Sequence, residues 1–106
     1  FSKGADVIFA AAGGTGIGVY QAAKDAGKLA IGVDSNQNHL HPGTMLTSMV
    51  KRVDVAVYNS FKQHKAGVTS LGLKEGGVDY ALDKNNEKLV TPAMKAKVDG
   101  AKLLTV

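Results

Sequence analysis

The chain has no cysteine and no tryptophan, and only two prolines among its 106 residues. Without cysteine there is no disulfide framework, thiol nucleophile or zinc–thiolate site, and the redox compartment stays open. Aromatic residues make up 6% of the chain and do not interleave with the lysines as they do on nucleic-acid platforms. No apolar run approaches the ~18 residues that a membrane span requires. The formal charge of +4 comes from lysines dispersed along the sequence, with Lys51-Arg52 the one adjacent basic pair. That spread reads as a solvated surface, and no nucleic-acid partner is expected. Catalytic signatures are missing too: there is no nucleophile elbow, no pair of carboxylates at an apolar site and no Ser-His-Asp logic. Ser48 and His64 read as strand and helix surface, and the chain is not expected to be an enzyme.

What is present suits one globular unit. Hydrophobic residues make up 44% of the chain and charged residues 21%, an ordinary balance for a packed domain of this size. The sequence enters a buried-type run within five residues of Phe1 and stops on the apolar "AKLLTV". Both ends read as cut, which predicts a piece of a longer protein.

The most informative stretch is "FAAAGGTGIGVYQAAKDAGKLAIGVDSNQ", residues 9–37. It runs an apolar strand into a glycine-rich turn, a helix, a second strand and the acid Asp34. A glycine-rich turn between strand and helix is a common phosphate site. Asp34 follows Gly14 by 20 residues, the spacing at which a dinucleotide-binding acid meets a ribose hydroxyl. The G-x-G-x-x-G fingerprint nevertheless fails. Counted from Gly14, its third glycine is Val19; counted from Gly13, its second is Thr15. A tight turn with spare N–H donors remains, open to any acceptor-rich ligand or serving only the backbone.

The continuous apolar run 5–12 predicts a parallel strand buried on both faces. Thr15 is the expected N-cap of a helix reaching about Asp25, with Val19, Ala22, Ala23 and Ala26 inward and Gly27 as C-cap glycine. Residues 28–34 make a second strand and close a βαβ unit. A polar loop, "SNQNHLHPG", leads to a third strand over 44–50. Residues 51–65 predict an amphipathic, sheet-covering helix with Val53, Val57 and Phe61 in register. The pattern then alternates Leu71, Leu73, Val78, Tyr80 and Leu82 around Glu75-Gly76-Gly77, which reads as a hairpin. Thr91-Pro92 opens a last helix as N-cap and N1, with Met94, Val98 and Ala101 inward.

Open α/β sheets gather ligands beyond the carboxyl ends of their strands. The candidate binding residues are therefore Gly13 and Gly14 as amide donors, Asp34 as an acceptor for paired hydroxyls, and Lys51 as a cation for a base carbonyl or ring nitrogen. Structural readings stand beside these: Asp34 as a loop cap, and Lys51 as a solvated residue opening a helix against its dipole. His39 and His41 lack a third ligand at metal spacing and read as loop histidines. No metal or cofactor is expected.

Taken in order, "GADVIFAAAGGTGIGV", "AIGVDSNQ", "LTSMVKRVDVAVY" and "GGVDYAL" resemble the Bmp family of basic membrane lipoproteins, related to purine nucleoside receptor A. The resemblance covers essentially the whole chain. It implies most of the C-terminal lobe of an α/β, type I periplasmic-binding-protein fold: a three-layer parallel-sheet lobe with a hairpin appendage, residues 1–106 forming one partial domain. It further implies a purine nucleoside held in an interlobe cleft for an ABC permease, without catalysis. By matching motif, Gly13, Gly14 and Asp34 would meet the ribose and Lys51 would reach towards the base. Aromatics sandwiching the base would lie outside this chain. So would the lipidated cysteine that anchors such proteins at the cell surface or in the periplasm. Two alternatives stay open at this point: a dinucleotide-binding oxidoreductase fragment, and the ligand-sensing domain of a transcription regulator. An unpaired sheet edge at Val7, Ile8 and Phe9 predicts a homodimer, domain-swapped about "SNQNHLHPG" or the turn at Gly67.

Overall fold

Short runs of β-branched and aromatic residues, separated by glycine turns and helix-forming stretches, set the order of elements. The computed structural model describes residues 1–104. Its strands are β1 (Val7–Phe9), β2 (Leu29–Asp34), β3 (Met45–Lys51) and β4 (Val78–Tyr80). Its helices are α1 (Gly16–Asp25), α2 (Val53–Gln63) and α3 (Pro92–Leu104). A single 3-10 turn, Gly13–Thr15, joins β1 to α1.

The strands form one sheet in the order β1-β2-β3-β4. β1, β2 and β3 run parallel, with Val7 opposite Leu29 and Asp34 opposite Val50. β4 lies antiparallel to β3, pairing Tyr80 with Met49 and Val78 with Lys51. The α/β architecture is therefore as expected, on a mixed sheet. The hairpin is not formed. Its turn exists, closed by the amide of Gly77 on the carbonyl of Gly72 at 3.0 Å, with Gly76 at φ +73°. The segment before that turn forms no strand among the described residues, and the one after it joins β3 instead. Alternation marks an extended segment but not its partner.

α1 ends as its sequence dictates. Gly27 adopts φ +66°, its amide bonds the carbonyl of Lys24, and the amide of Lys28 bonds the carbonyl of Ala23. That pair of bonds is a Schellman cap. The start of α1 differs from expectation: Thr15 occupies the N-cap position in helical conformation and makes no side-chain cap bond.

The core is small: Tyr20, Ala23, Ala30 and Met45, with Phe1 and Val19 packed against it. Ala22 and Ala26 are exposed, and Tyr20 takes the place assigned to them. β1 was expected to be long and buried on both faces. It spans three residues, and Val7 and Phe9 remain 41% and 53% exposed. The alanines that follow are poor strand formers, and β1 has one neighbouring strand, β2, among the described residues. α2 forms as expected but does not bury its stripe: Val53, Val57 and Phe61 are all exposed. An apolar stripe states that a helix can be covered, not what covers it.

α3 begins at Thr91-Pro92 as read, the Thr91 hydroxyl accepting the amide of Met94 at 3.2 Å. Met94, Val98 and Ala101, expected inward, are exposed. Polar side chains tie α3 to β4 instead. The Tyr80 hydroxyl donates to Asp99 Oδ1 at 2.7 Å, and Lys102 Nζ lies 3.0 Å from Asp79 Oδ1.

Candidate functional site

Three parallel strands release the chain at one edge of the sheet. β1 leads to the Gly13–Thr15 turn, β2 ends at Asp34 and β3 ends at Lys51. Because Asp34 is in register with Val50, its carboxylate lies next to the residue that follows. Lys51 Nζ sits 2.8 Å from Asp34 Oδ1, with the two side chains 60% and 49% exposed. An exposed ion pair of this kind contributes only about 0–1 kcal/mol to stability. Both groups stay accessible to a ligand.

The position of Lys51 corrects the sequence reading. It closes a strand and does not open a helix. Arg52 stands between β3 and α2, bonded through Nε and Nη2 to Asp54 at 3.1 and 3.0 Å. The Arg52 guanidinium holds the Asp54 carboxyl below its usual range. The acid in the first turn of α2 is thus matched to that neighbour, and Lys51 is left to Asp34.

Asp34 carries a conformation unusual for a residue with a side chain, φ +74°. The amide of Ser35 donates to the carbonyl of Val33 at 2.9 Å, the i to i+2 bond of a γ-turn. Backbone of this type costs on the order of 1–3 kcal/mol and gathers at functional sites.

The glycine turn offers donors. The first amides of a helical turn have no partner within it, and Gly13 and Gly14 hold those places. Gly13 needs its glycine, at φ +55°. A Cβ built on either Gly13 or Gly14 meets nothing within 4 Å, so this side of the turn is open to an approaching molecule. Gly16 is different: a Cβ there would stand 3.2 Å from the Tyr20 hydroxyl.

Behind the rim lies a polar network absent from the sequence reading. Gln37 Oε1 accepts from the Tyr20 hydroxyl at 2.7 Å and from the Val33 amide at 3.1 Å. Burial, with a smaller contribution from the Asp34 charge, raises the Tyr20 phenol above its ordinary pKa. The amide of Gln37 donates to Ser48 Oγ at 3.0 Å, and the Ser48 hydroxyl donates to Asn38 Oδ1 at 2.7 Å. Ser48 is fully buried, correcting its assignment to strand surface. Asp83 accepts from Asn36 Nδ2 at 2.7 Å and from Asn38 Nδ2 at 3.4 Å. Asn86, also fully buried, donates to the carbonyls of Leu46 and Ala81. Among the described residues, no buried side-chain nitrogen or oxygen lacks a partner. The one signal in sequence was Gly32, where a Cβ would lie 2.6 Å from Ser48 Oγ.

Two cavities lie elsewhere. One of about 420 Å³ runs along α2 past Val57, Phe61 and His64, and one of about 280 Å³ lies between Met49, Tyr80 and Val98. Gly13, Gly14, Asp34 and Lys51 line neither. Their rim is an open surface on one side. The groove on α2 follows from its uncovered stripe, with Ala56, Val57 and Phe61 beside Ser60 and His64, and it lies away from the carboxyl ends of the strands, so the rim is the better candidate.

A family model described as Bmp, "ABC transporter substrate-binding protein PnrA-like", matches residues 1–102. The chain belongs to the Bmp family. This is a family of ABC-transporter substrate-binding proteins and not of enzymes, which sets aside the oxidoreductase alternative. The chain is 43% identical over 94 residues to Basic membrane protein D of Borreliella burgdorferi, covering 80% of this chain and 28% of that protein. It is also 43% identical over 89 residues to a protein of Pyrococcus furiosus named as an uncharacterized lipoprotein, covering 74% of this chain and 22% of that one. A crystal structure of an ABC transporter solute-binding protein from Aeropyrum pernix superposes with TM-score 0.68 at 32% identity. That match covers 95% of this Bmp chain and 29% of the other. The chain thus spans under a third of the length of these relatives.

Proposed function

We propose that this chain forms most of one lobe of a two-lobed Bmp protein that holds a purine nucleoside in its interlobe cleft and delivers it to an ABC permease. The observation carrying this reading is the Asp34–Lys51 pair at 2.8 Å, set at the carboxyl ends of neighbouring parallel strands. A carboxylate accepts two hydroxyl donors at once, as the vicinal hydroxyls of a ribose require. Amides of Gly13 and Gly14 supply donors to the sugar oxygens. Lys51, three-fold donor and cation, reaches an acceptor on the base. An open rim in place of a closed pocket suits one wall of a cleft whose other wall, with the aromatics that stack on the base, is contributed by the second lobe. The protein works outside the cytoplasm, tethered by a lipid anchor outside this chain, in keeping with relatives named as lipoproteins. By itself the chain pairs into a homodimer through its uncovered apolar surfaces. The reading is tested by calorimetric titration of the two-lobed protein with inosine, comparing the unmodified protein with Asp34→Ala.

A further inference from the structure

Asp34 makes one side-chain ion pair, to an exposed lysine, which by itself would leave its backbone conformation unsecured. The turn that carries it is held from the other side. Gln37 folds back across Gly32 so that its Oε1 takes the Val33 amide, immediately before Asp34, at 3.1 Å. The same oxygen takes the Tyr20 hydroxyl at 2.7 Å. The main chain of Gln37 is pinned as well, its amide on Ser48 Oγ at 3.0 Å, with Ser48 bonded on to Asn38. Tyr20, Ser48 and Asn38 are all under 2% exposed. α1 and β2 therefore meet on the side chain of Gln37, and β3 holds its main chain. There is no slack beneath it, since even a methyl group at Gly32 would stand 3.1 Å from Gln37 Cβ and Oε1.

We propose that Gln37 is the positioning residue of the site: by gripping the Val33 amide it fixes the γ-turn that presents the Asp34 carboxylate to ligand hydroxyls. The proposal rests on the reading that Asp34 meets the ligand. Gln37 acts through the backbone of Val33 and Asp34, and both donors to its carbonyl come from the protein.

A double-mutant cycle on the two-lobed protein, read by calorimetry with inosine as probe, tests it. Gln37→Met keeps the side-chain length and removes the acceptor; inosine affinity is expected to fall about tenfold, the size of coupling usual between residues of one hydrogen-bonded network. In an Asp34→Ala background the same change is expected to leave affinity within about twofold, because the group being positioned is gone. Tyr20→Phe carries the same cycle should Gln37→Met not fold. It removes one of the two donors and is expected to lose roughly threefold with Asp34 present and nothing without it. Thermal unfolding of each variant reports stability separately. A loss of equal size in both backgrounds, or no loss with Asp34 present, overturns the positioning role. If Asp34→Ala alone leaves inosine binding unchanged, the ligand reading itself has failed. If Asp34→Ala weakens binding while both network variants are silent, only the positioning role is lost.

Discussion

The carboxylate of Asp34 and the ammonium of Lys51 meet at 2.8 Å across the carboxyl ends of β2 and β3. Parallel pairing alone brings them together, since Asp34 lies opposite Val50 and the chain continues by one residue. Both side chains are about half exposed. Their significance is chemical, two opposite charges on one rim, more than energetic.

Asp34→Ala is expected to weaken nucleoside binding by roughly 1.5–3 kcal/mol, the range for hydrogen bonds to a charged group. Alanine tolerates positive φ less well than aspartate, so roughly 1 kcal/mol of folding stability goes as well. Asp34→Asn tolerates that conformation and should separate the two effects. A collapse in melting temperature with normal binding by the remaining folded protein would make Asp34 structural.

Lys51→Met should harm ligands bearing a purine O6 more than those without one. The ammonium is then the group that reads the base. Inosine against nebularine, a purine riboside lacking that oxygen, gives the comparison by calorimetry. An identical loss for both would remove the base-reading role from Lys51.

Asp83 predicts a pH effect on stability. Its carboxylate accepts from Asn36, from the amide of Asn85 and from Asn38, and these bonds, Asn36 foremost, hold its pKa below the ordinary value. A depressed folded pKa contributes stability that is fully present above the unfolded value, about 3.9, and lost as pH falls through the folded value. Melting temperature should therefore drop on acidification below about pH 4, and Asp83→Asn should flatten that acid limb. Parallel acid limbs in the two proteins would contradict the assignment.

The places of the first three strands along the chain, and the rim at their carboxyl ends, were legible because both depend on short-range pattern. Each strand on the path to the site is an apolar run ending at a glycine or a charge, and the run fixes where its carboxyl end falls. Burial was less legible. The stripe of α2 (Val53, Val57, Phe61) is read correctly as apolar, yet exposure is decided by neighbours that a local pattern does not name. The same holds for the second half of the expected hairpin, whose turn at Gly76-Gly77 exists while its strand pairs with β3. The polar network behind Asp34 was the deepest omission. Asn36, Gln37 and Asn38 have the composition of a solvated loop, and only their distant partners Ser48 and Asp83 tie them down, burying Asn38 outright. Tyr20 was hidden for a similar reason: its hydroxyl finds Gln37, from another element, and only then does the ring belong in the core.

The chain by itself is expected to dimerise. Phe9 and Val7 on the β1 edge and Val57, Tyr58 and Phe61 on α2 are exposed together, and such edges invite pairing. Of the two hinges considered for an exchange, the loop after β2 is tied down through Asn36, Gln37 and Asn38. The stretch around Gly67 (φ +124°) with fully exposed Val68 is the freer one. Light scattering after size exclusion, across a dilution series, should show a dimer. A monodisperse 11.0 kDa species at every concentration would refute this.

The most direct test of the account is the ligand selectivity of the two-lobed protein, measured by isothermal titration with inosine, hypoxanthine and inosine monophosphate. The Asp34 carboxylate favours ribose hydroxyls, which a free base lacks, and repels a phosphate dianion brought near it. Inosine should therefore bind most tightly of the three. Equal affinity for all three, or tightest binding of the nucleotide, would contradict a nucleoside site organised around Asp34.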